Sequence, residues 1–84
     1  MKPRKTLEKI LFGSKNIRFD DMTALVRAVG FRLDRVSGSH HIFTHAEIPE
    51  LINLQKVGGQ AKPYQIRQFM KLVEKYNLRL EDDT

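Results

Sequence analysis

The chain has three histidines, and all of them fall within six residues, His40, His41 and His45 of "RVSGSHHIFTH". Histidine is the side chain that takes or gives a proton near neutral pH. Three imidazoles can hold a zinc ion with one position left for water. One imidazole can act alone as a general acid or base. The third reading is bland: histidine also fills β-hairpins as a half-buried, amphipathic edge residue.

Strand geometry bears on the choice. If "HHIFTH" is extended, His41 and His45 share a face but stand about 13 Å apart along it. Ligands on one zinc lie only about 2 Å from it. His40 points to the opposite face, so a shared metal would require the strand to be broken. The chain has no cysteine, which removes thiolate ligands and disulfides alike. Catalysis by one imidazole makes smaller demands. Beside a phosphodiester it takes the proton from a ribose 2′-OH, that oxygen attacks the phosphorus, and a nearby Lys or Arg offsets the added charge. Gly38 and Ser39 form a turn just before His40, and such small residues also let a phosphate come close to the backbone. Alternation alone leaves open whether Phe43 or Ile42 is the inward residue.

The elements that must position these groups can be traced along the chain. "PRKTLEKILFG" has the apolar spacing of a short helix, with Pro3 suited to its first turn and Gly13 to its C-cap. "FDDMTALVRAVG" is a second helix with a Met22, Leu25, Val26, Val29 stripe, capped by Asp20 or Asp21 and stopped by Gly30. "FRLDRVS" then alternates as a strand, the Gly-Ser turn follows, and "HHIFTH" closes a hairpin. "AEIPE" (46–50) reads as a polar break around Pro49, and "LINLQKV" as a third strand ended by Gly58-Gly59. "KPYQIRQFMKLVEKYNL" is a last helix, with Ile66, Phe69, Met70 and Val73 inward. The result is an α+β chain, α-α-β-β-β-α, with a three-stranded antiparallel sheet and its helices on one face. From residue 20 onward this is the order of a double-stranded-RNA-binding domain. The division expected is a helical extension at 1–18, the domain at 19–80 and an acidic tail at 81–84.

A chain of 84 residues forms one domain with one core and no deep active site. Its net charge is +5, which points to a polyanion or an acidic partner. Residues 1–30 carry seven bases and three acids, 31–61 three of each, and 62–79 five bases and one acid. The excess therefore flanks the histidine segment. Arg67, Lys71 and Lys75 recur every four residues on one helical ridge, and with Lys62 they are candidates for contacts to RNA phosphates. Arg35 either meets a phosphate or pairs with Asp34 or Glu47. Tyr64 either stacks on a base or packs in the first helical turn. No apolar run is long enough to cross a membrane, and "MKPRKTLEKI" lacks the apolar core of a secretory signal, so a cytoplasmic location is expected.

"GFRLDRVSGSHHIFTH" resembles the segment G-F-x-x-x-R-x-x-G-S-H-x-x-[FY] of HicA toxins, the ribonuclease half of HicA–HicB toxin–antitoxin pairs. Gly30, Phe31, Arg35, Gly38, Ser39, His40 and Phe43 carry the match. The resemblance implies a metal-independent, mRNA-cleaving toxin without cofactor, monomeric when free and silenced by a HicB-type antitoxin. Its catalytic histidine falls on His40, with His41, Ser39 and Gly38 as supporting positions. A non-catalytic RNA-binding module of the same fold is the alternative. The agreement is closest over residues 19–45 and looser to 77. Residues 1–18 are an extension shared with a longer subgroup, and "THAEIPELINLQ" lacks the family's usual Pro-Asp-Gly and later histidine.

Overall fold

Ser37 and His40 face each other across a two-residue turn, and that turn sets the register of the central hairpin. Gly38 has φ 60° at the first turn position, where a type II′ hairpin turn requires positive φ. A Cβ there would meet nothing within 4 Å, so backbone conformation rather than crowding asks for the glycine.

The computed structural model describes residues 1–80; the acidic tail at 81–84 lies outside the described residues. The elements run α1 (Pro3–Leu11), α2 (Phe19–Ala28), β1 (Arg32–Ser37), β2 (His40–His45), β3 (Ile48–Val57), β4 (Gln60–Ala61) and α3 (Pro63–Lys75). The sheet is antiparallel in the order β1-β2-β3-β4. Its short fourth strand is an addition to the three expected. It pairs Lys56 with Ala61 and Val57 with Gln60 across a turn whose two glycines, Gly58 and Gly59, both have positive φ.

One boundary of α2 departs from expectation and the other follows it. Arg18, not Asp20 or Asp21, is the N-cap of α2, and no side chain caps it. Asp20 and Asp21 lie in the first turn instead, where their charge opposes the positive end of the helix dipole. At the other end Gly30, with φ 105°, closes a Schellman motif: its N–H donates to the Arg27 carbonyl and the Phe31 N–H to that of Val26. The chain thus leaves α2 with Phe31 already in the core.

The sheet carries two irregularities. In β1 Leu33 pairs with Phe43 but Arg35 with Ile42, so Asp34 is an extra, bulged residue. In β3 the register shifts between Phe43–Ile52 and His45–Ile48, leaving Pro49 to Leu51 opposite Thr44 alone. This explains why the expected break at 46–50 is instead strand from Ile48. Proline lacks an N–H for the ladder, and a bulge is one of the few strand positions that asks for none.

One face of the sheet is covered by the helices. Phe31, Phe43, Ile48, Ile52 and Leu54 meet Met22, Leu25 and Val26 of α2 and Ile66 and Phe69 of α3 in a single core. Each such side chain, once fully buried, contributes about 1.5–3 kcal/mol. Leu7 and Ile10 of α1 pack partly buried against this core. No helix among the described residues is long and apolar enough to cross a membrane.

Candidate active site on the open face of the sheet

Phe43 is 1% exposed and points to the helices, which settles the parity of β2. His40, Ile42 and Thr44 therefore lie on the open face, and His41 and His45 on the helix side. Cross-strand pairing places His40 between Ser37 of β1 and Gln55 of β3. The next row on the same face is Arg35, Ile42 and Asn53.

His40 is half-buried, and its Nδ1 lies 3.1 Å from Oδ1 of Asn53. Its ladder partner Gln55 is engaged twice. The Gln55 side-chain oxygen accepts a 3.3 Å hydrogen bond from Lys62 Nζ, and its backbone N–H donates to Gln65 Oε1 at 2.7 Å. Gln65 is buried, and from α3 it supplies the acceptor that β3 lacks beyond the short β4. The Lys62 ammonium is thereby held one side chain away from His40, and it also lies 5.2 Å from the Tyr64 ring centroid.

The other two histidines are occupied by packing. His41 sets its ring edge-on to Phe19 at 4.7 Å, and its Nδ1 lies 3.3 Å from the Ser39 carbonyl. His45 meets Phe31 in the same way at 5.0 Å and accepts the Glu47 N–H at 3.0 Å. Ser39 and Gly38 are exposed at the hairpin turn beside His40.

The basic residues divide between locations. Arg35 is exposed near His40, with Nη1 3.2 Å from Asp34. Arg67 and Lys71 are on the helical layer, lining an apolar groove with Ile10, Leu11, Ile66 and Met70. Lys75 donates at 2.8 Å to Glu50, which also accepts the Tyr76 hydroxyl at 2.5 Å. The hydrogen bonds from Lys75 and Tyr76 hold the Glu50 carboxyl below the ordinary carboxylate range. The same carboxylate pushes Lys75 and Tyr76 up. This trio ties β3 to the end of α3. The helical ridge 67-71-75 is thus on the helical layer, whereas Lys62 reaches Gln55, the ladder partner of His40. Tyr64 is 45% exposed, so it is not the first-turn core residue that its position suggests.

A half-buried imidazole with one nitrogen engaged by an amide, an ammonium nearby and an open approach can move a proton beside an anion. Two of the contributing residues, Asn53 and Gln55, are absent from the candidates that composition and motif supply. The signal for them is the alternation in "INLQ". With Ile52 and Leu54 inward, Asn53 and Gln55 must share the face of His40.

The family model described as HicA toxin of bacterial toxin–antitoxin matches residues 19–74, from the start of α2 almost to the end of α3. Neither a curated protein nor a solved structure matches the chain.

Proposed function

Because the chain belongs to the HicA toxin family of bacterial toxin–antitoxin systems, we propose that it is a metal-independent endoribonuclease that cleaves mRNA, with His40 as the proton-transfer group. The observation that carries this reading is the placement of His40 on the open face, with Lys62 hydrogen-bonded to its ladder partner Gln55. RNA lies across the open face, its scissile phosphate between the His40 ring and the Lys62 ammonium. His40 accepts the ribose 2′-OH proton, and the 2′-oxygen forms a bond to phosphorus. The bond to the 5′-oxygen breaks, that oxygen takes a proton from solvent, and a 2′,3′-cyclic phosphate remains. Lys62 offsets the extra charge on the phosphoryl oxygens in the transition state. Arg35, exposed in the adjacent row, binds a neighbouring phosphate.

The other half of the pair is a HicB-type antitoxin, and an mRNA substrate implies a cytoplasmic location. The test is controlled expression of the wild type and of His40→Ala, following growth and intact mRNA, with the purified proteins assayed in the presence of a chelator. Arrest with mRNA loss in the wild type, absence of both in the variant and indifference to the chelator are expected. A wild type that binds RNA but leaves it whole returns the chain to the non-catalytic RNA-binding alternative. A His40→Ala variant as toxic as the wild type refutes the assignment of His40.

A further inference from the structure

We propose that Asn53 is the positioning residue of His40, holding its Nδ1–H so that Nε2 is the nitrogen that takes the substrate proton. The inference rests on the reading of His40 as the proton-transfer group and adds to it the working atom and the group that selects it.

The three histidines differ in how their rings are held. His41 and His45 are each tied to backbone within two residues, at Ser39 and Glu47. His40 is instead held by a side chain thirteen positions away, on a different strand. Asn53 is not its ladder partner but the diagonal neighbour, facing Ile42 while Gln55 faces His40. Diagonal neighbours on one sheet face are within reach of long side chains, and here the two close to 3.1 Å.

The chemistry of that contact is one-directional. A carboxamide oxygen only accepts, so the hydrogen of a neutral imidazole sits on Nδ1 and the lone pair on Nε2. Free imidazole side chains prefer the opposite form, with hydrogen on Nε2. A base of that form would have its lone pair on Nδ1, hard against its own backbone. Asn53 therefore reverses the intrinsic preference and turns the basic nitrogen outward, to the open face where a ribose can approach. When the ring is protonated, Oδ1 keeps its donor, so the imidazolium formed by proton transfer is stabilised as well.

The experiment uses the full chain and three forms: wild type, Asn53→Leu and Asn53→Asp. Long-range ¹H–¹⁵N correlation at a pH where imidazole is neutral reads the tautomer of His40 directly. Turnover of a mixed-sequence single-stranded RNA as a function of pH reads its consequence. In the wild type the hydrogen is expected on Nδ1. In Asn53→Leu it moves to Nε2, and kcat falls about tenfold to hundredfold, part of what a general base contributes, with KM unchanged. Asn53→Asp keeps an acceptor, so it retains the Nδ1–H form and most of kcat, while its carboxylate moves the acid limb of the pH profile to higher pH. Hydrogen on Nε2 in the wild type, or a leucine variant unchanged in tautomer or in kcat, overturns the proposal. A wild type with the Nδ1–H form that cuts no RNA refutes the ribonuclease reading instead, and the spectroscopic arm separates the two failures.

Discussion

Replacing Gln65 by methionine tests whether this side chain anchors the edge of β3 behind the row of His40. Gln65 is 3% exposed and its Oε1 accepts the Gln55 N–H at 2.7 Å. Methionine has nearly the same length and volume, so the cavity contribution stays small, and the main effect is a partly buried amide left without an acceptor. Such a loss costs about 1–3 kcal/mol, and the half-exposure of Gln55 sets this case near the lower end. In a domain of this size each 1 kcal/mol lowers the melting temperature by about 4–8 °C. Circular-dichroism melts should therefore put Gln65→Met about 4–12 °C below the wild type. Hydrogen exchange should show the Gln55 amide losing protection. Gln68→Met, on the exposed side of the same helix, should stay within about 0.5 kcal/mol. A Gln65→Met protein that melts with the wild type and keeps the Gln55 amide protected would refute the edge-anchor reasoning.

Other outcomes follow from the same geometry. His40→Ala should lose about 10²–10⁴ of RNA turnover yet melt within a few degrees of the wild type, because the ring lies outside the core; gel assays and melts on one preparation check both. Lys62→Gln should weaken binding to all single-stranded RNAs alike and lower the log–log salt slope by about 0.7, one phosphate contact, measured by fluorescence anisotropy against salt. Glu50 is held below its ordinary range by Lys75 and Tyr76, so its contribution to stability is complete above about pH 4.3 and is lost as pH falls through its folded value. Glu50→Gln should flatten the acid limb of stability in denaturant titrations between pH 3 and 7, and an acid limb as steep as the wild type's would show that the trio contributes nothing.

Much of the fold was legible because it rests on periodicity. The α2 stripe is core as its spacing requires, and of the α3 stripe Ile66 and Phe69 are core while Met70 and Val73 pack partly buried against it; alternation alone separates His40 from His41 and His45. The parity of β2 needed packing to decide, since Ile42 and Phe43 are both apolar and only the helix layer selects Phe43. Where the reading failed, a local signal was overruled by a neighbour. Pro49 looked like a break, but the β2–β3 register shift gives it a place in a strand. Asp20 and Asp21 looked like caps, but the bridge of Arg18 to Gln60 draws the chain into the sheet and starts the helix at Phe19. Strand β4 is two residues long, too short for any alternation to register. The ridge of Arg67, Lys71 and Lys75 reads as one surface on a helical wheel, yet Glu50, twenty-five positions away, takes Lys75 out of it. Asn53 and Gln55 look like ordinary solvent-facing polar residues until the register sets them beside His40.

The bulge at Asp34 acts as a phase shift in the strand. Upstream of it Leu33 shares the row of Phe43 on the helix side; downstream Val36 shares the row of His41, and Arg35 and Ser37 fall on the face of His40. Were Asp34 paired as a regular ladder residue instead of bulged, the odd positions would continue inward, and Arg35 would be turned toward the helices while Val36 stood among the polar groups. Deleting one codon here is therefore absorbed by the bulge, unlike a deletion in a regular stretch of strand. Asp34 is exposed and pairs with its neighbour Arg35, so most substitutions leave both faces as they are. Its deletion would close the bulge into a regular ladder that keeps Arg35 opposite Ile42 and Val36 opposite His41, so both faces and the surroundings of His40 survive.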